Sequence, residues 1–287
     1  MDSNLVRRVS FAVVAIPLAL AFIWLGGWPL VALVSVLSVL GTRELFDMAA
    51  RQGVHPSRVL GLGTAAAFAP VVYLAVTRPA AALALARWWP YAGALWLILL
   101  LTWLLRSRSP DQRPLGAVAI TAVGALYSGA LPGFLIDIRH HSHGTQSWPG
   151  TWLVFFPLVV TWVCDTAAMF GGRMIGGPKL APVVSPGKTR AGAVAGFVGG
   201  IAVAPVFNAL ALAPTGVRLS LGQALLFAAV LSVVGQVGDL AESLFKREAG
   251  IKDSSNLIPG HGGVLDRFDS LYFVVPCAAF MYRVFLG

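Results

Sequence analysis

The amino-acid sequence predicts an all-α, polytopic integral membrane protein with about nine transmembrane helices and a cytoplasmic N-terminus. Three observations lead to this fold class: an apolar composition, a succession of apolar segments of membrane-spanning length, and basic residues concentrated on one side. Of the 287 residues, 57% are hydrophobic and 11% are charged. A soluble domain carries about 25% charged residues because its surface must be hydrated, so lipid is the expected solvent of this chain.

Nine segments meet the length criterion for a membrane span, which is about 20 apolar residues, with about 17 sufficient. They are 9–25, 27–42, 59–77, 81–105, 114–134, 151–170, 191–213, 219–241 and 270–286. Gly26 and Gly27 join the first two spans, which are short enough to form a helical hairpin. The first segment follows Arg7 and Arg8 and lacks a small-residue cleavage site. It is therefore predicted to be a retained span, with a cleaved signal peptide as the alternative.

The Lys and Arg residues choose between the two possible orientations. With the N-terminus in the cytoplasm, 16 of the 21 basic residues fall on the cytoplasmic side, as the positive-inside rule requires. The net charge of +9 therefore indicates topology and contact with anionic lipid, and no nucleic-acid partner is expected. The chain divides into N-terminal transmembrane helices over 1–150 and a C-terminal region over 151–287, with two polar cytoplasmic loops at 171–190 and 242–269.

The second polar loop concentrates charge in a chain that otherwise avoids it. Asp239 and Glu242 lie three residues apart at the end of the eighth span, and Ser243 and Lys246 continue the same helical face. Carboxylates at a membrane boundary are costly unless they are paired or bound to a cation, which indicates a functional site. After a short loop come a histidine, a glycine pair and further charged residues, namely His261, Gly262, Gly263, Asp266, Arg267 and Asp269.

These residue types suit magnesium and phosphate. Carboxylate oxygens are the hard ligands that magnesium prefers, and neighbouring lysines and arginines bind phosphate. The turn at Gly262 and Gly263 permits close backbone approach, and its amides are candidate phosphate donors. The competing interpretation is a solvated loop with ion pairs, which the crowding of acids and bases between two spans disfavours.

A second group of polar residues extends from the sixth span into the first polar loop. Asp165 lies within that span and is expected to face a cavity or a partner rather than lipid. Ser185, Lys188 and Thr189 precede a new apolar helix, and a helix N-terminus with such side chains is a natural phosphate site. The competing interpretation is a flexible basic loop that serves topology alone.

The C-terminal half of the chain resembles the phosphatidate cytidylyltransferase (CDP-diacylglycerol synthase) family. The family signature is matched at every fixed position, namely Ser243, Lys246, Arg247, Lys252, Asp253, Pro259, His261, Gly262, Gly263, Asp266, Arg267 and Asp269. The segment 165–192 resembles the other conserved loop of the family with two departures: Met169 replaces a frequent aromatic residue, and Ala191 replaces the usual glutamate.

The resemblance implies a divalent-metal-dependent nucleotidyltransferase of the bacterial cytoplasmic (inner) membrane, with its active site at the cytoplasmic face. CTP and phosphatidate would react to give CDP-diacylglycerol and pyrophosphate. The implied catalytic residues are Asp239, Asp266, Lys246 and His261. The implied ligands of Mg²⁺ or Mn²⁺ are Asp239 and Asp266, with Glu242, Asp165 and Asp269 nearby. The implied binding residues for the substrate phosphates are Ser185, Lys188, Thr189, Ser243, Arg247, Lys252, Gly262, Gly263 and Arg267.

Several alternatives stay open at this point. The enzyme could act on another lipid phosphate or a lipid alcohol, and Ala191 is compatible with an impaired paralogue. An ion-coupled transporter would place Asp165 and Asp239 along an ion path. His261 could move a proton or donate a hydrogen bond, and a second, monovalent cation and a homodimer are open too. His140, His141 and His143 are interpreted as solvated loop residues, with a zinc site as the alternative.

The basic bias predicts that the loops 171–190 and 242–269 both face the cytoplasm. Single cysteines placed in either loop should react with a membrane-impermeant thiol reagent only in inside-out vesicles. Labelling of either loop from the outside alone would refute the predicted orientation.

Overall fold

The computed structural model describes residues 3–258, 260 and 262–287, with the side chains of the first helix described from residue 13 onward. Two residues of the predicted signature, Pro259 and His261, lie outside the described residues. The catalytic role that the resemblance implies for His261 therefore stays a prediction.

Within the described residues, eight helical segments are long and apolar enough to cross a membrane. They are Gly27–Arg51, Arg58–Thr77, Pro79–Ser107, Pro114–His140, Trp148–Ile175, Arg190–Thr215, Leu221–Glu248 and Leu265–Phe285, and they correspond to the second to ninth predicted spans. The first predicted span lies in a helix whose described apolar part, Val13–Leu25, is shorter. These segments agree with the predicted all-α integral membrane protein.

The N-terminal half consists of six helices. They are α1 (Ser3–Leu25), α2 (Gly27–Arg51), α3 (Arg58–Thr77), α4 (Pro79–Ser107), α5 (Pro114–Gly124) and α6 (Leu131–His140). A π-helical segment, Ala125–Ala130, joins α5 to α6. α4 buries two residues, Leu100 and Leu104, and its other faces expose large apolar side chains. So much exposed apolar surface on one helix is expected where the surroundings are lipid.

The C-terminal half contains five helices and one short hairpin. They are α7 (Trp148–Ile175), β1 (Lys179–Ala181), β2 (Ser185–Thr189), α8 (Arg190–Phe207), α9 (Leu221–Glu248), α10 (Leu265–Phe268) and α11 (Leu271–Phe285). The strands are antiparallel, with Lys179 opposite Thr189 and Ala181 opposite Ser185. The hairpin is a β element that the all-α prediction did not include, and it replaces most of the predicted loop 171–190.

Several helices extend past the ends that hydropathy predicted. α9 continues to Glu248, so the polar connection before α10 covers 249–264 rather than 242–269. α7 likewise continues to Ile175 and ends at Gly176, whose φ is +67°. The hydropathy criterion ends a span where charged residues begin, whereas backbone hydrogen bonding continues through them and stops where glycine permits a left-handed turn.

Small residues let α7 and α8, the helices that precede and follow the hairpin, pack closely against each other. A Cβ atom at Gly196 of α8 would lie 2.8 Å from the Cys164 carbonyl oxygen, and one at Gly192 would lie 2.7 Å from the Ala168 carbonyl oxygen. Such close approach is typical of helix pairs in membranes, where dispersion contacts replace the hydrophobic effect. The pair therefore holds the hairpin at one end of the bundle.

An aromatic stack joins the helices that carry the signature. The ring centroids of Phe156 and Phe227 are 5.0 Å apart, and those of Phe227 and Tyr282 are 4.8 Å apart. The Tyr282 hydroxyl donates a hydrogen bond of 2.9 Å to the Leu153 carbonyl. Because these residues lie on α7, α9 and α11, the three helices share one packed core.

His140, the last residue of α6, contacts the turn between α1 and α2. Gly27 N donates to His140 Nε2 at 2.9 Å, and His140 is buried. The interpretation as a solvated loop residue is therefore wrong for His140, because its ring accepts a hydrogen bond from a backbone amide that would otherwise be unpaired. Burial and the charge of Arg139 lower the pKa of His143. Among the described residues no zinc-type cluster of side chains occurs at this end.

Candidate active site

The last two turns of α9 carry a buried chain of charges. The Lys246 ammonium forms an ion pair with Glu242, four residues earlier, and a second with Asp266 Oδ1 at 2.7 Å. The Glu242 side chain is fully buried, and the Lys246 side chain is 12% exposed. One lysine therefore offsets two carboxylates that the sequence separates by 24 residues.

Asp266 organises the loop that leads to it. Its Oδ2 accepts hydrogen bonds of 2.8 Å from Ser254 N and Gly263 N, and it lies 2.8 Å from Ser254 Oγ, whose single proton is shared with Glu44. Gly262 has φ +81°, and a Cβ atom there would collide with the Asp266 carboxylate. The glycine pair therefore serves this close approach. Its Gly263 amide, predicted to be available to a phosphate, already donates to Asp266.

A second ion pair lies one to two turns earlier along α9. The Lys188 ammonium of β2 pairs with Asp239, and Ser243 Oγ donates to Asp239 Oδ1 at 3.3 Å. Asp165 of α7 and Asp269 lie close enough to Asp239 for their charges to interact, and Lys188 offsets both. Asp165 is exposed, and no hydrogen bond or ion pair among the described residues involves its carboxylate, so its predicted orientation away from lipid stays a prediction.

The hairpin is attached to both α8 and α9. Thr189 is the N-cap residue of α8 and is buried, and its Oγ1 accepts a hydrogen bond of 3.0 Å from Gly192 N. Arg247 donates to the carbonyls of Val184 and Ile251, each at 3.1 Å. Both side chains therefore hold the backbone in place, and Ser185, Lys188 and Thr189 lie on one strand.

The remaining predicted phosphate ligands are more open. Lys252 and Arg267 are exposed on either side of the signature loop. Ala191, at the second position of α8, is half-buried, and its methyl group offers no charge or hydrogen-bonding group where the family usually has a glutamate.

The donor types suit a divalent cation. Three carboxylates, Asp239, Glu242 and Asp266, form ion pairs with two lysines, Lys188 and Lys246, so the paired groups carry excess negative charge. The Glu242–Lys246 contact is an ion pair by distance, but no described group donates a hydrogen bond of regular geometry to either Glu242 oxygen. In the part of the chain that is described, no three acidic, His or Cys side chains already form a ligand set. Hard oxygen donors with unmet bonding capacity fit Mg²⁺ or Mn²⁺ chemically.

One buried acid of this region is not among the sequence-predicted residues. Glu44 of α2 accepts four hydrogen bonds, all from the segment 254–265. It lies just beyond the predicted second span, where it resembles an ordinary boundary charge. α2 continues to Arg51, so Glu44 lies within a membrane-spanning helix and not at its end. An acid inside such a helix indicates a functional residue, and this is the signal that could have identified Glu44.

A family model described as the cytidylyltransferase family matches residues 6–285, nearly the whole chain. The chain belongs to the cytidylyltransferase family. Family membership confirms the resemblance based on the signature and extends it to the N-terminal helices, which matched only as apolar spans.

Several bacterial proteins named phosphatidate cytidylyltransferase are similar to this member of the cytidylyltransferase family. The Bacillus subtilis protein is 39% identical over 168 residues, which are 58% of this chain and 59% of the relative. The Haemophilus influenzae protein is 41% identical over 152 residues, 51% and 50% of the two chains. The Brucella suis protein is 44% identical over 161 residues, 56% and 55%. The chain thus spans about half the length of the curated relatives it matches.

Loss of the Lys246 ammonium should destabilise this cytidylyltransferase-family protein. Lys246→Met would leave Glu242 and Asp266 buried without their cation, and breaking such a pair costs about 3–5 kcal/mol. We expect a lower midpoint of thermal unfolding in detergent with a metal chelator present. Lys179→Met, at an exposed lysine of β1, is the matched control. Equal midpoints for the two variants would contradict the buried pairing.

Proposed function

We propose that the protein is a phosphatidate cytidylyltransferase, which converts CTP and phosphatidate into CDP-diacylglycerol and pyrophosphate. The observation that carries the proposal is the convergence of charged residues from the hairpin, from α9 and from the signature loop. Lys188, Asp239, Lys246 and Asp266 come from three separate segments and form two adjacent ion pairs at one end of α9. The names of the bacterial relatives support the same substrates.

The proposed reaction requires no nucleophile from the protein. An oxygen of the phosphatidate phosphate attacks the α-phosphorus of CTP and forms the new P–O–P bond. The bond between the α-phosphorus and its bridge to the β-phosphate breaks, and pyrophosphate leaves with that electron pair. The task of the protein is then to align the two phosphates and to offset their charge.

Basic side chains would supply most of the contacts to phosphate. Lys188 and Lys246 are paired with carboxylates. Each ammonium has three donors, so it can contact a phosphate oxygen while a carboxylate holds its position. Lys252 and Arg267 are exposed next to the loop and would extend this cationic surface toward the incoming phosphates. Arg247 would act indirectly by holding the hairpin.

A divalent cation, magnesium or manganese, would be held by Asp239 and Asp266, with Glu242, Asp165 and Asp269 beside them. When bound, it supplies Lewis-acid polarisation of phosphate oxygens and neutralises charge. The two principal acids have distinct lysine partners, Lys188 and Lys246. Each of these two carboxylates is therefore oriented by a different lysine.

We place this site at the cytoplasmic face of a bacterial inner membrane. Two observations support the placement. The basic residues concentrate on the side where both polar segments emerge. The hairpin and the end of α9 are joined by Lys188 and Arg247, so the two segments lie on the same side. CTP is available in that compartment.

Purified protein in detergent–lipid micelles with magnesium, phosphatidate and labelled CTP should form a labelled lipid. We expect CTP to be preferred over ATP and GTP. The comparison substrates are other lipid phosphates and diacylglycerol, a lipid alcohol. Equal labelling from all three nucleotides would contradict the proposed cytidylyl specificity. Label transfer to a comparison lipid instead of phosphatidate would support the alternative lipid substrate.

Asp239→Asn and Asp266→Asn should each lower turnover by at least about 100-fold, the scale expected when an electrostatic contact to the transition state is lost. The double variant should be hardly worse than either single one, because residues that serve one metal act as a unit. Asp253→Asn, at an exposed acid beside Lys252, is the control and should lose less. Near-normal turnover of either single variant at saturating magnesium would end the assignment.

A further inference from the structure

Glu44 is a buried acid whose partners are not basic residues. It lies on α2, is 4% exposed, and receives its hydrogen bonds from hydroxyls and backbone amides. A buried carboxylate is costly unless hydrogen bonds replace its water shell. The residues that donate these hydrogen bonds are therefore the ones that Glu44 fixes in position.

All four donors lie in the segment 254–265, which precedes Asp266. Glu44 Oε1 accepts from Ser255 Oγ at 2.7 Å and from Val264 N at 3.0 Å. Oε2 accepts from Ser254 Oγ at 2.9 Å and from Leu265 N at 2.9 Å. Each oxygen thus receives one hydroxyl and one amide, and the carboxylate bridges the two ends of the segment 254–265.

Ser254 connects this bridge to Asp266. Its Oγ lies 2.9 Å from Glu44 Oε2 and 2.8 Å from Asp266 Oδ2. Gly263 makes the arrangement sterically possible, because a Cβ atom there would collide with both Ser254 and Glu44. The absence of a side chain at Gly263 thus admits the carboxylate of a helix more than 200 residues away in sequence.

We infer that Glu44 is a positioning residue of the cytidylyltransferase site. It holds the two ends of the segment, at residues 254–255 and 264–265, so that Asp266 and Arg267 are presented to the substrates. The inference rests on the proposed function, and it assigns a role in the active site to the N-terminal half of the chain. Glu44 acts through Ser254 and the backbone and does not itself reach the reacting phosphates.

Glu44→Gln is the principal test, because the amide replaces an acceptor oxygen by a nitrogen that faces an N–H or O–H donor. We expect kcat to fall by about 10- to 100-fold, as for other residues that support ligands from behind. The KM for CTP should change less than kcat. Glu44→Asp retains the carboxylate on a shorter chain and should recover part of kcat. Asp47→Asn, at a half-buried acid one turn away that pairs with Arg43 and Arg58, is the matched control.

A second measurement reports on the loop independently of activity. Lys252 is exposed next to the tethered segment, so trypsin cleavage after it, followed by mass spectrometry, measures loop opening. Glu44→Gln should accelerate this cleavage relative to Asp47→Asn, while the gel-filtration profile is retained. If Glu44→Gln does not fold, Ser255→Ala removes one donor and should shift kcat and cleavage in the same directions by smaller factors.

Two results would overturn the inference. One is kcat and cleavage in Glu44→Gln that equal those of Asp47→Asn. The other is a loss of activity that merely follows the loss of folded protein, with cleavage after Lys252 unchanged in the folded fraction. Absence of CTP turnover in the parent protein would instead refute the proposed function, and the cleavage comparison would still decide whether Glu44 holds the loop.

Discussion

Charge burial at the end of the helix bundle is the constraint on which the rest of the arrangement depends. Glu242 and Asp266 are buried beside lipid-facing helices, where an unpaired carboxylate would be strongly unfavourable. Lys246 offsets both, and Lys188 offsets Asp239. Each lysine joins separate segments of the chain, so satisfying the charges also assembles the site. The remaining excess of carboxylates is the feature that suits a divalent cation.

The apolar packing of the helices holds the site residues in fixed positions. The glycines of α7 and α8 bring these helices into backbone contact, and the stack of Phe156, Phe227 and Tyr282 joins α7, α9 and α11. Reacting phosphates need groups held to within a fraction of an ångström, and rigid helices hold groups better than loops do. Each polar segment is therefore attached by side chains to the neighbouring helices.

The signature glycines illustrate how one residue type can serve different needs. A glycine pair beside basic residues suggests amides that bind phosphate. In the structure the Gly263 amide donates to Asp266, and the missing side chain admits Glu44. Gly262 supplies a left-handed turn. The pair thus shapes the loop around two carboxylates, and in the proposed function phosphate binding falls to the lysines and arginines.

The sequence by itself determined the membrane class, eight of the spans and the segments that carry the signature, because hydropathy and helical spacing are local properties. It also predicted the shared face of Asp239, Glu242, Ser243 and Lys246. Only the tertiary structure decided the partners: Lys188 with Asp239, and Glu44 with the segment 254–265. These contacts span about 50 and 220 residues in sequence, and several use backbone amides that every residue carries. Nothing in residue type or spacing could have identified them.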